Sequence, residues 1–220
     1  VGLGLGAPFG LKTEYDNPWR GGAHSLSFDI KTINLNPSIA WRATEWMSLG
    51  FGVNVQKIDA KYEKLAGIGP VNIGPPLGVR NLHQATTTLD ADDTAWGWNA
   101  GALFTLSPST KLGVSYRSSV KYTLEGSLTT TGPDPVLNGA TSSGAKAELK
   151  LPDIFVISLT HALNERWELL GDISWTGWSS IDKVDIIRTS GPLNGATALR
   201  LDTQFKDTWR FALGANYKLN

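Results

Sequence analysis

The sequence predicts an all-β, antiparallel fold that closes as a transmembrane β-barrel, and three observations carry that prediction. Apolar and polar residues alternate with a period of two over most of the chain, the repeat of a strand with one apolar and one polar face. The connections alternate strictly between short and long, as they do in barrels with short periplasmic turns and long extracellular loops. Nine of the 220 residues are Trp, and several stand near strand ends, where an interfacial aromatic belt belongs.

Eight segments alternate: 1–9, 25–43, 47–65, 94–106, 110–129, 146–163, 166–187 and 200–217. In the first, Val1, Leu3, Leu5, Ala7 and Phe9 share a face, and Gly2, Gly4, Gly6, Pro8 and Gly10 share the other. A face without side chains leaves space and Pro cannot donate to a ladder, so this strand is expected to bend or lose pairing. In the second and third, the alternation changes phase near Lys31-Ile33 and Gln56-Ile58. Both places lie at one height above their shared turn, which predicts strands that outrun the bilayer or a bulge.

The fourth segment carries Trp96, Trp98, Ala100, Ala102, Phe104 and Leu106 on one face, with Leu103 breaking the pattern. In the fifth, Leu112, Val114, Tyr116, Val120, Tyr122 and Leu124 oppose Arg117, Lys121 and Glu125. The seventh sets Trp167, Leu169, Ile173 and Trp175 against Glu168 and Asp172, and the eighth sets Trp209, Phe211 and Leu213 against Lys206 and Arg210. Short turns fall at Thr44-Glu45, Ser107-Pro108-Ser109 and Asn164-Glu165. Long connections fall at 10–24, 66–93, 130–145 and 188–199.

A soluble sandwich alternates in the same way with its apolar face inward. The aromatic strand ends, the mixed charges beside Gly, Ser and Thr on the polar face, and the segment lengths favour the membrane barrel. Composition narrows the function classes. Lys plus Arg and Asp plus Glu are 20 each, so there is no basic excess for nucleic acid. With no Cys there is no disulfide scaffold and no thiolate metal site. His24, His83 and His161 are scattered, and no nucleophile–base spacing is visible, so neither an enzyme, a metal nor a cofactor is expected.

Six motifs, in order along the chain, resemble the FadL/TodX (OMPP1) family of outer-membrane transporters for long-chain fatty acids and hydrocarbons. They are Gly6-Ala7-Pro8-Phe9-Gly10-Leu11-Lys12-Thr13-Glu14-Tyr15 followed by Trp19, Trp96-Gly97-Trp98-Asn99-Ala100-Gly101, and Gly113-Val114-Ser115-Tyr116-Arg117-Ser118. The others are Leu151-Pro152-Asp153, Trp175-Thr176-Gly177-Trp178-Ser179, and Phe205-Lys206-Asp207-Thr208-Trp209-Arg210-Phe211-Ala212-Leu213-Gly214. The resemblance implies a 14-stranded barrel plugged by an N-terminal hatch. The eight segments would be its third to tenth strands, within one partial barrel domain over residues 1–220. The chain is therefore expected to be a fragment lacking the hatch and the last strands.

The resemblance also implies passive uptake of fatty acids or hydrocarbons, with sideways release into the membrane at a kink in the first segment. The kink would fall at Ala7, Pro8, Phe9 and Gly10. Candidate partners for a substrate carboxylate are Lys64 and Arg200 near the extracellular ends, with Arg117 and Arg210 deeper. A lumenal ion-pair network with Asp172 or Glu168 is the structural alternative for the deeper two. Leu103, Ile154, Val156, Leu170 and Trp178 break the alternation toward the lumen, where acyl chains would want an apolar wall. The apolar loop Ala66–Leu77 is a candidate first contact for greasy substrates. The expected setting is the outer membrane of a Gram-negative bacterium. The expected partners are fatty acids or hydrocarbons, membrane lipid and lipopolysaccharide, with no nucleic acid, and the protein is expected to be a monomer. A small eight-stranded structural or adhesive barrel without transport is the competing reading.

Overall fold

The alternating segments hydrogen-bond into a single large antiparallel sheet. The computed structural model describes residues 1–16, 19–67, 69–72, 74–75, 78–81 and 85–219. Eight traverses of the sheet follow one another. The first joins β1 (Gly2–Gly6) to β2 (Gly10–Glu14), the second is β3 (Ser27–Arg42) and the third β4 (Met47–Leu65). A small separate hairpin, β5 (Pro70–Asn72) with β6 (Val79–Asn81), fills part of the next loop. The fourth traverse is β7 (Thr86–Ser107), and the fifth joins β8 (Thr110–Arg117) to β9 (Val120–Thr131). A short helix, α1 (Pro135–Thr141), leads to β10 (Ser143–Leu151) and β11 (Ile154–Ala162). The seventh joins β12 (Trp167–Thr176) to β13 (Lys183–Arg188), and the eighth β14 (Thr197–Asp202) to β15 (Thr208–Tyr217). Each traverse pairs with the next, and the sheet is open between the first and the last. The short turns fall between β3 and β4, β7 and β8, and β11 and β12, all at one end.

On β4 the interior receives Asn54, Gln56, Ile58, Ala60 and Tyr62, all buried. The opposite face carries Leu49, Phe51, Val53 and Val55, and then Lys57, Asp59, Lys61 and Glu63. Pairing of β4 with β3 and β7 keeps one register along its length. The phase change near Lys31-Ile33 and Gln56-Ile58 is therefore not a bulge. The strands pass from a zone with an apolar surround and a polar interior to one with the reverse. A charge facing lipid costs about 2–4 kcal/mol at mid-membrane, so the charged outer rows mark chain beyond the bilayer. Aromatic girdles bound the apolar zone. Trp41, Trp46, Trp167 and Tyr217 stand at the short-turn end, and Trp96, Trp98, Tyr116 and Trp175 at the other.

The remaining traverses are interrupted. Register between β7 and β8 pairs Asn99 with Arg117, but β7 and β9 pair Asp92 with Glu125. That is one extra residue at Ser118-Ser119, a bulge. Gly97 lies under it: a Cβ there would stand 2.9 Å from both Ser118 Oγ and Val120 Cγ2. The bulge turns Val120, Tyr122 and Leu124 inward, where all three are buried, although Leu112, Val114 and Tyr116 face outward. The expected common face for these six residues is thus incorrect, and Lys121 and Glu125 lie outside rather than in the lumen. Breaks at 152–153, 177–182 and 203–207 continue the line across the sixth to eighth traverses.

Other boundaries move for legible reasons. The first segment does not end at residue 9 but resumes as β2. The fourth begins at Thr86 rather than residue 94, because its outer residues Asp90 and Asp92 stand in the charged zone. The loops predicted at 66–93 and 130–145 contain the hairpin and α1. Of the apolar loop, Ile68, Ile73, Pro76 and Leu77 lie outside the described residues, as does His83.

Candidate functional site: kink, lumen and extracellular mouth

Three features occupy the interior at successive heights. The first is the kink. β1 pairs with β3 as Gly6 with Asn34, and β2 as Gly10 with Lys31, so three residues stand against two. Thr32, on the interior face of β3, replaces the lost ladder. Its hydroxyl accepts from Phe9 N–H at 3.1 Å and donates to the Phe9 carbonyl at 2.6 Å. Phe9 then packs edge-on against Trp178 at 6.1 Å, and Trp178 against Phe205 at 6.2 Å. Below the kink, Gly2, Gly4 and Gly6 occupy the interior register positions opposite Ser38, Asn36 and Asn34. Ala7 to Gly10 therefore coincide with the break.

The second feature is the lumen at membrane height, with two unlike walls. On β3, β4 and β7 an amide ladder runs inward. Asn36 Nδ2 donates to Asn99 Oδ1 at 2.7 Å, Asn54 Nδ2 to Asn99 Oδ1 at 3.0 Å, and Asn34 Nδ2 to Asn54 Oδ1 at 3.2 Å. Arg117 joins it, donating to Asn54 Oδ1 at 2.9 Å, and forms no ion pair with a described residue. On β11 and β12, Ile154, Val156 and Leu170 take interior register positions, as Leu103 does on β7. A trough of about 740 Å³ runs between the walls, lined by Asn54, Asn99, Arg117, Ile154 and Val156 among others. Arg210 is committed elsewhere: its guanidinium lies 2.8 Å from Asp172 Oδ1. This is the ion-pair alternative for Arg210, but not for Arg117.

The third feature is the extracellular mouth. A cavity of about 120 Å³ is lined by Tyr62, Lys64, Leu128, Ile186, Arg188 and Leu199, with Thr87 and Thr141. Two cations share it. Burial, and then the neighbouring Arg188 charge, hold the Lys64 ammonium below the ordinary lysine range. Burial likewise lowers Arg188. Arg188 is anchored by donating to the Thr141 carbonyl and to Ser143 Oγ. α1 contributes its last residue, Thr141, to the cavity wall. Asp134 caps its first turn, accepting from Val136 N at 3.0 Å and Leu137 N at 3.2 Å, worth about 1 kcal/mol. Leu137 is sunk into the interior.

Arg200 is not part of this mouth. It lies opposite Asp185 on the outer face, next to the pair of buried Ile186 and half-buried Leu199, and binds Asp185 Oδ1 at 2.6 Å. One residue of register separates inside from outside. The inward cation is Arg188, a residue the alternation alone left at the edge of a loop.

An open antiparallel sheet with two aromatic girdles, an apolar outer band and a lumen with one amide-lined wall defines an outer-membrane β-barrel protein. The chain matches the family described as outer membrane protein transport protein (OMPP1/FadL/TodX) over residues 1–220, and it belongs to that family. It is 28% identical to the long-chain fatty acid transport protein of Escherichia coli K12 over 98% of this chain and 54% of that one. It is 30% identical to outer membrane protein P1 of Haemophilus influenzae over all of this chain and 50% of that one. The fold matches a Pseudomonas aeruginosa FadL homologue with TM-score 0.84 at 22% identity, covering 99% and 53% of the two chains. It also matches the Ralstonia pickettii toluene transporter TbuX with TM-score 0.75 at 17% identity, covering 99% and 61%. The chain thus spans about half the length of the curated relatives it matches. Like those relatives it is an outer-membrane protein, and its family's members are transporters or channels.

Proposed function

We propose that the protein containing this chain takes up long-chain fatty acids or related hydrophobic molecules through the barrel interior. The observation that carries this reading is the Lys64–Arg188 pair set among Tyr62, Leu128, Ile186 and Leu199. Two half-buried cations without a carboxylate partner among the described residues are costly, and a fatty acid headgroup would relieve that cost. The acyl chain would gain about 0.8 kcal/mol per methylene removed from water. Below lies a trough with one apolar wall, and beside it the kink at Ala7–Gly10 interrupts the sheet. The reading routes the substrate from mouth to trough and out beside the kink, by partition alone. An open sheet edge does not survive in lipid, so the working barrel would be closed by chain beyond these eight traverses. Outer-membrane lipid is the expected surround, and a monomer the expected state.

Binding of radiolabelled oleate and of toluene to the detergent-purified full-length protein tests the reading. Lys64→Ala or Arg188→Ala should each weaken oleate about tenfold, the value of one charged hydrogen bond, and leave toluene unchanged. Arg200→Ala should affect neither. Equal loss of both ligands in the Lys64 and Arg188 variants would sink the assignment of these two cations to a carboxylate.

A further inference from the structure

The outer surface just beyond the upper aromatic girdle holds an arrangement that substrate uptake does not use. Lys121 on β9 stands directly opposite Lys150 on β10 in the antiparallel register. The register of β10 with β13, continued from Ala147 opposite Ile186, brings Lys183 level with Lys150. All three side chains point outward: Tyr122, Leu149 and Leu151 beside Lys121 and Lys150 are buried inside, and exposed Lys183 lies an odd number of residues from buried Ile186 along β13. Like charges placed directly across a ladder are destabilising. The other outward cations of this zone avoid the problem by pairing: Lys31 with Asp29, Lys57 with Asp59, Lys61 with Asp90, Lys146 with Glu125, and Arg200 with Asp185. Lys121, Lys150 and Lys183 form no ion pair with a described residue.

The three lysines line one groove of about 250 Å³, together with Glu148, Ser180 and Val184. Glu148 is a carboxylate on that wall, so the groove carries a positive excess. The strand breaks at 118–119, 152–153 and 177–182 lie immediately below it. Under the breaks runs a second row in register. Tyr116 pairs with Phe155, Phe155 with Trp175, and Trp175 with Trp209, all on the outer face. A basic row above an aromatic row, at the margin of the apolar band, complements a lipid with an anionic head and several acyl chains.

We propose that Lys121, Lys150 and Lys183 bind the phosphate groups of the outer-leaflet glycolipid, whose acyl chains lie along Tyr116, Phe155, Trp175 and Trp209. The long loops stand at this end of the barrel, so the leaflet is the outer one, and its phosphorylated lipid is lipopolysaccharide. A point charge such as an ammonium suits a phosphate approached from several directions. The site does not depend on what passes through the lumen.

The test uses the full-length protein, purified in detergent and stripped of bound lipid, with purified lipid A as the probe. At about 1 kcal/mol per lysine facing an anionic lipid surface, the K121Q/K150Q/K183Q variant should bind about a hundredfold more weakly. A control removing paired lysines, K57Q/K61Q/K146Q, should bind like the parent. Both variants should keep the heat-modifiable gel mobility of a folded barrel, and K150Q alone should show an intermediate loss. Lipid A without its phosphates should bind the parent as poorly as the intact lipid binds the triple variant. Equal binding by the two triple variants, or by lipid with and without phosphate, overturns the proposal. So does displacement of lipid A by millimolar inorganic phosphate alone, which would mark a site for the free anion.

Discussion

The second to fourth traverses and the fifth to eighth solve the same problem in opposite ways. β3, β4 and β7 run for 16, 19 and 22 residues without a break in the chain. Their sequence alternation changes phase, because an unbroken strand keeps its faces while its surroundings invert from lipid to water. The later traverses are all cut near one level, and in the fifth the alternation does not change. The bulge at Ser118-Ser119 swaps the faces at the height where the surroundings invert, and the two changes cancel. Leu112, Val114 and Tyr116 face lipid and Val120, Tyr122 and Leu124 face the interior, yet all six occupy even positions. A strand that looks broken in sequence is continuous, and a strand that looks continuous is broken.

This comparison can be broken most severely at the bulge. Deleting Ser118 and Ser119 together carries the Asn99–Arg117 pairing on into β9 one residue out of its present register. It turns Tyr122 and Leu124 outward and drives Lys121 and Glu125 into the apolar interior around Ile58 and Leu149. Each unpaired buried charge costs several kcal/mol, so two approach the whole stability of an ordinary domain. The full-length protein should then lose its heat-modifiable folded band. Deleting Asn194 from the loop between β13 and β14 should leave that band intact. A folded double deletion would show that the faces are set by something other than these two residues, whereas deleting Ser119 alone removes the bulge with the faces kept and should leave the band in place.

A charge on the outer face sharpens the boundary itself. Ile157 on β11 pairs with Val114 and Ile173 in the apolar band. Thr129 on β9 lies opposite Thr88, above the breaks. Ile157→Arg should cost about 2–4 kcal/mol, and Thr129→Arg within about 0.5 kcal/mol. Urea unfolding in lipid vesicles would measure both. Similar costs at the two positions would place the bilayer margin elsewhere than at the line of breaks.

What could be read from the residues follows from this geometry. Periodicity gives the existence, order and pairing direction of the traverses, and the glycine face of β1 announces the kink. Loop contents were not legible. α1 has only Asp134 and Pro135 to signal it, and the β5–β6 hairpin is three residues to a side. Nor was the inward cation: Arg188 falls at the edge of the predicted loop 188–199, and for Arg200 a parity argument fails once inserted residues intervene. Arg188 reaches the mouth on the same parity as Asp172, and Arg200 does not, because the break at 203–207 shifts its parity against Arg210. Lys64 sits on unbroken β4 and was legible.

The smallest expected effect tests that mouth through pH. Lys64 attracts a carboxylate only while protonated, and burial beside Arg188 lowers its pKa below 10.5. Oleate affinity should therefore begin to fall as pH rises at a lower value than for an exposed lysine. In the bound complex the carboxylate favours the charged form, so the fall reports the free protein. The empty protein should show the reverse dependence. A group whose folded pKa is depressed binds more protons when unfolded, so its contribution to stability grows as pH rises toward 10.5. Lys64→Arg, which does not titrate in this range, should flatten the alkaline limb of oleate binding. Toluene binding should be flat in both proteins. An alkaline limb that persists unchanged in the Arg variant would assign it to a different group and detach Lys64 from the headgroup.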